Sequence, residues 1–153
     1  MVEKYMDGIV ENNKMKKYNI PLLPQIEQFH DEIINRIEVI GTNLILHIDD
    51  LHFDYENGFS KCKIILSQFE DIFSDVSFTF LNIHKNKIKS GRKIYLDEFI
   101  EYSKKRNFFI EICDVYEGYE RIFIVGKIVN CKISYGNYVQ LCIDTKSVTY
   151  EFC

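Results

Sequence analysis

The sequence predicts an α+β domain, mainly antiparallel β-sheet built from consecutive hairpins, with one principal amphipathic helix near residues 96–106. Two observations carry this expectation. Asn57-Gly58, Glu117-Gly118 and Gly136-Asn137 each sit between runs of alternating apolar residues, and two-residue hairpin loops need positive φ, which selects Asn, Asp and Gly. In contrast, LDEFIEYSKKRN places Leu96, Phe99, Ile100 and Ser103 at helical spacing, with acids at its start and Lys104, Lys105 and Arg106 at its end, which suits the helix dipole at both termini.

In chain order, residues 1–24 read as an N-terminal arm or short helix followed by a connector containing Pro21 and Pro24. Gly41-Thr42-Asn43 reverses the chain between EIINRIEVI and LILHID, in a register that brings Asn35 opposite Asp49. Leu44, Leu46 and Ile48 share one face, whereas Leu51, Phe53 and Tyr55 have the other parity, so a bulge or break is expected at Asp49-Asp50.

A two-residue loop at Asn57-Gly58 places Asp54 opposite Lys61 and His52 opposite Lys63. QFEDIFSD reads as a loop or short turn of helix, and VSFTFLNIH as a strand. Glu117-Gly118 as a loop sets Asp114 opposite Arg121 and Cys113 opposite Ile122, and Gly136-Asn137 as a loop sets Cys131 opposite Cys142. No repeat or internal linker interrupts the pattern, so residues 1–153 are expected to form a single domain.

Composition narrows the function classes. With 46% hydrophobic and 14% aromatic residues the chain can bury a true core, and its net charge of −4 gives no overall attraction for nucleic acid or anionic membrane. Five cysteines without a CxxC pair read as reduced thiols and not as a disulfide framework or zinc site. The N-terminus lacks the apolar core of a secretory signal, and no run reaches the roughly 18 apolar residues of a membrane span, so a cytoplasmic location is expected.

Candidate chemistry concentrates in residues 30–54. LHIDDLHFD packs two histidines and three aspartates into a short stretch, and Asp50, His52 and Asp54 share a polar face that alternating ligands of a divalent ion could use. The preferred register interleaves Lys61 and Lys63 with them, which favours a salt-bridged sheet face. His30-Asp31 is the vicinal pair of HD-type metal phosphohydrolases, but those enzymes are helical, and Ile33–Ile40 is β-branched. Asp31 is better explained as the hydrogen-bonding residue of a turn. The metal candidates are therefore His30, Asp31, His47 and Asp49, and they define an alternative reading as a metal-dependent hydrolase.

Cys62 and Cys113 fall at strand positions assigned to the inner face, where thiols are inert. No catalytic residue and no cofactor follow from any motif. KNKIKSGRK, the basic run, has neither the form of a phosphate loop nor aromatic residues to stack bases.

The segment FHDEIINRIEVIGTNLILHIDDLHF, Phe29 to Phe53, resembles the opening of small β-rich proteins of Gram-positive bacteria. In these a Phe-His-Asp triplet precedes an Ile/Val-rich strand, a short turn and a Leu-x-Leu-x-Ile-Asp strand, and some are similar to immunity proteins of polymorphic toxin systems. The resemblance implies a stoichiometric protein binder without catalytic residues. Its expected partner is another protein, for which a basic toxin domain would suit the acidic charge balance.

Overall fold

The computed structural model describes residues 16–19, 29–52, 60–82, 87–129 and 136–153. These residues form two antiparallel sheets and one helix. The first sheet is ordered β1 (Lys16–Asn19), β11 (Ser147–Phe152), β5 (Cys62–Ser67), β4 (Asn43–Ile48) and β3 (Arg36–Ile40). The second is ordered β2 (Ile33–Ile34), β8 (Phe109–Gly118), β9 (Arg121–Val129), β10 (Tyr138–Asp144), β6 (Glu70–Asn82) and β7 (Lys87–Tyr95). The expected α+β, β-rich architecture is what forms.

Three short links carry the chain from one sheet to the other. They are Asn35, the pair Gln68-Phe69 and the pair Thr145-Lys146. The last two lie side by side, because β5 pairs with β11 in one sheet and β6 pairs with β10 in the other. Thr145 is buried, its hydroxyl donates to the Ser67 carbonyl at 2.8 Å, and the Lys146 amide donates to the same oxygen at 3.0 Å. Polar backbone at a sheet corner is thus satisfied by its neighbour.

Alternation builds the core between the sheets. Leu44, Leu46 and Ile48 of β4, Cys62, Ile64 and Leu66 of β5, and Val148, Tyr150 and Phe152 of β11 join Ile122, Ile124, Leu141, Ile143, Val76 and Phe78 of the second sheet in one cluster. Phe29 stacks on Tyr150 with ring centroids 5.0 Å apart. Helix α1 (Leu96–Arg106) buries Leu96, Phe99 and Ile100, and Phe99 lies 5.8 Å from Phe78 and 5.7 Å from Phe108. Asn107 in the left-handed conformation stops the helix, its amide returning to the Ser103 carbonyl.

The chain reverses where expected but over Gly41-Thr42 alone, with Asn43 already in β4 opposite Ile40, so the register is one residue off the one that set Asn35 opposite Asp49; β4 stops at Ile48, where the parity break at Asp49-Asp50 was expected. Other registers differ. Asn57-Gly58 and Asp54 lie outside the described residues, but Lys63 pairs with His47 and not with His52, and the Leu51 amide donates to the Ser60 carbonyl, so the register expected to set His52 opposite Lys63 is not the one that forms. The second hairpin turns at Tyr119-Glu120, with Gly118 opposite Arg121 and a bulge at Cys113, which is half-buried and not at a regular inner position. The Glu120 carbonyl accepts the Thr145 amide at 3.0 Å, a tertiary contact that fixes this turn.

Cys142 faces Phe123, while Cys131 lies outside the described residues. Gly136-Asn137 is not a two-residue loop, since the Asn137 carbonyl accepts the Ile128 amide and Tyr138 pairs with Lys127. Gly136 holds positive φ against the Thr79 backbone, where a Cβ would come within 2.7 Å of main-chain atoms. Of QFEDIFSD, read as a loop or short turn of helix, only Gln68-Phe69 form a turn, since Glu70–Asp75 belong to β6. Of residues 1–24, read as arm and connector, Lys16–Asn19 pair with β11, and the rest lie outside the described residues.

Candidate functional site

The four metal candidates do not converge on one another. His30 Nδ1 lies 3.0 Å from Asp31 Oδ2 on an exposed turn, where Asp31 takes positive φ, its amide donates to the Ile112 carbonyl and the Glu32 amide donates to the Phe29 carbonyl. Asp31 thus sits in a turn, as read from the sequence, but its carboxylate meets His30, and the turn itself is closed by the Glu32 amide. His47, only 5% exposed, lies on the face of β4 opposite Leu46, between Arg36 and Lys63 of the neighbouring strands.

The Arg36 guanidinium donates to His47 Nδ1 at 3.2 Å, and since arginine has no acceptor the ring proton must sit on Nε2, which faces Glu38 Oε2 at 2.9 Å. Both ring nitrogens are therefore occupied. Asp49 is exposed and does not stand opposite Asn35 as the register through Gly41-Thr42-Asn43 expected, because Arg36 pairs with His47; the Asn35 side chain nevertheless accepts the Asp49 amide at 2.8 Å. Among the described residues no three His, Cys, Asp or Glu side chains are grouped to hold a metal ion.

One buried acid escaped the sequence. Glu32, 2% exposed, accepts the His52 amide on Oε1 at 2.8 Å, and its Oε2 lies 3.4 Å from His52 Nδ1, while His52 Nε2 is 3.6 Å from Asp50. Its role is to hold the segment after β4 against the start of β2. Nothing in HDEI marks Glu32 as buried, because its burial follows from the close approach of β8, whose Ile112 amide bonds the Glu32 carbonyl.

Two cavities accompany these residues. One of about 150 Å³ is lined by His47, Asp49, Lys61, Cys62, Lys63 and Glu151. Burial, followed by the charges of Glu32 and Glu151, pushes the Cys62 thiol well above its ordinary pKa, which disfavours the nucleophilic thiolate. The other, about 240 Å³, lies where the end of α1 meets β2 and β3. Its cations are already engaged, Arg36 with His47 and Lys104 with Glu101 at 3.4 Å. Neither cavity couples an activated nucleophile to a base.

A different surface has the character of a binding face. Between the pairs Cys142–Asp75 and Asp144–Glu70, β10 supplies Ile143 alone while β6 supplies Asp71, Ile72, Phe73 and Ser74. This is a bulge larger than the usual two residues against one. Ser74 is buried at its base, its hydroxyl donating to the Glu70 carbonyl at 2.6 Å and accepting the Asp144 amide at 2.9 Å. The strand is thereby lifted so that Ile72 is 75% and Phe73 58% exposed, beside Tyr95, 69% exposed, at the end of β7.

The three side chains line a depression of about 370 Å³ together with Asp75 and Lys93. Lys93 pairs with Asp75 at 3.1 Å and Arg92 with Glu98 at 3.5 Å, so these members of the basic run act as an ion-paired edge strand. Partial burial, then the charge of Asp97, raises the Asp71 carboxyl above its ordinary pKa.

No family model, curated protein or solved structure matches the chain. Among the described residues no helix is long and apolar enough to cross a membrane.

Proposed function

We propose that this chain is a non-catalytic protein-binding module of the cytoplasm, an immunity protein that neutralises a toxin by stoichiometric association. The observation that carries this reading is the β6 bulge, which sets Ile72 and Phe73 in solvent next to Tyr95. Large apolar side chains grouped at the surface and rimmed by charges are the usual centre of an interface, where aromatic anchors supply most of the affinity. Additional support comes from the histidines, since His47 uses both ring nitrogens within the fold and His30 pairs, among the described residues, with Asp31. The negative charge balance suits a basic partner.

The test is co-expression with the product of the gene adjacent to its own. A stable equimolar complex that abolishes that product's toxicity is expected. The metal-hydrolase reading makes the opposite prediction, a large stabilisation specific to Zn²⁺, Mn²⁺ or Mg²⁺ that disappears in both His30→Ala and Asp49→Ala. A tight ligand at a hundred times its dissociation constant adds about 2.7 kcal/mol, enough to be read in a melting curve. That result would overturn the binding-module reading.

A further inference from the structure

Resting on the protein-binding reading, we propose that the Ile72–Phe73–Tyr95 surface receives a partner segment in which a lysine or arginine adjoins aliphatic or aromatic side chains, with the cation directed at Asp71 and Asp97.

The apolar half of the argument is the bulge. Adjacent residues of a regular strand point to opposite faces, so Ile72 and Phe73 could not both be strongly exposed on a flat strand half-covered by a core. The bulge presents both, and it is held in that form by the Ser74 bridge between Glu70 and Asp144. On the other side β7 reaches only as far as Asp75, opposite Tyr95, before α1 begins at Leu96. The chain therefore ends its own sheet beside this patch.

The charged half is an imbalance. Around the patch, Asp75 is matched by Lys93 and Glu98 by Arg92. Among the described residues neither Asp71 nor Asp97 forms an ion pair with a cation, and the Asp97 carboxylate accepts the Glu98 amide at 2.7 Å at the helix start. Asp71 stands next to Ile72 in the bulge and Asp97 lies in the first turn of α1, two residues beyond Tyr95, so both flank the patch, and the charge of Asp97 disfavours ionisation of Asp71. A partner ammonium or guanidinium would remove that repulsion, whereas a partner carboxylate would add to it. Charge complementarity of this kind selects between partners more than it adds affinity, which the apolar side chains supply.

The probe is a displayed random peptide library selected on the immobilised full chain, followed by three synthetic peptides measured by fluorescence anisotropy. These are a selected sequence, its Lys/Arg→Gln form and its Lys/Arg→Glu form. Selection should enrich Lys or Arg beside Leu, Ile or Phe, and affinity should fall in the order basic, neutral, acidic. Phe73→Ser, at an exposed position, should weaken the basic peptide about tenfold or more while circular dichroism stays unchanged. Asp71→Asn with Asp97→Asn should bring the basic and neutral peptides to similar affinities and leave the neutral one where it was.

Selection without basic enrichment, equal binding of acidic and basic peptides, or indifference to Phe73→Ser would each overturn the proposal. A concentration-dependent dimer abolished by Phe73→Ser would also overturn it, making a second copy the occupant. If the co-expressed complex survives Phe73→Ser while the peptide results fail, the interface lies elsewhere and the broader reading stands. If no complex forms at all, it is the broader reading that fails.

Discussion

The buried Ser74 hydroxyl accepts the amide hydrogen of Asp144 at 2.9 Å, across a sheet register that has slipped by several residues. In a regular ladder that amide would be met by a backbone carbonyl. Here a side chain does the work of a strand, and the same oxygen donates its hydrogen to the Glu70 carbonyl at 2.6 Å. Both ends of the bulge are closed by one atom.

Ser74→Ala should therefore cost about 1–3 kcal/mol, the penalty for leaving a shielded donor unmet. Urea denaturation would register it as a lower midpoint with an unchanged slope. A Ser74→Ala protein as stable as the parent would mean that water replaces the hydroxyl and that the bulge does not depend on it.

His47 and His30 should respond very differently to truncation. His47 is buried between Arg36 and Glu38, and His30 stands on an exposed turn. His47→Ala should destabilise by about 1–3 kcal/mol through lost packing and two lost hydrogen bonds, whereas His30→Ala should stay within about 0.5 kcal/mol of the parent. Equal losses measured by chemical denaturation would show that His30 is engaged as deeply as His47.

How much of this could be read from the sequence depends on how local the cause is. Leu96, Phe99 and Ile100 at helical spacing, with acids before and bases after, specify α1 within its own residues, and the Gly41 turn and the break at Asp49 are equally local. Hairpin registers were not. Gly118 and Gly136 resemble turn glycines, but the Tyr119-Glu120 turn is fixed by Thr145, and Gly136 is small because Thr79 lies against it. The candidate surface was hidden for the same reason. Ile72 and Phe73 inside QFEDIFSD look like core residues, and only the Ser74 link to a strand 70 residues away turns them outward. The one local clue was two adjacent large apolar residues among acids, which alternation cannot bury together.

Thiol reactivity should rank the described cysteines. All four, Cys62, Cys113, Cys142 and Cys153, are free, but burial raises the pKa of Cys62, Cys113 and Cys142, and Cys62 is further opposed by Glu32 and Glu151. Cys153 is exposed. Native-state alkylation at mildly alkaline pH, followed by peptide mass mapping, should label Cys153 first and Cys62 last among these four. Early labelling of Cys62 would show that β5 opens readily.

Asp71 gives stability a small pH dependence of defined sign. Its carboxyl is raised in the folded protein, chiefly by partial burial and then by Asp97, so over the window between its unfolded and folded pKa values the native state binds more protons than the unfolded chain. Stability from this group is undiminished below the unfolded value and is lost as pH rises through the folded one. Asp71→Asn should match the parent in acid and exceed it at neutral pH, by a modest margin because the site is mostly exposed and screened. Added salt should shrink the part due to Asp97 and leave the part due to desolvation. Denaturation midpoints of parent and variant across the acidic to neutral range would measure this, and a variant less stable at neutral pH would mean that Asp71 is held by an attraction stronger than its repulsion from Asp97.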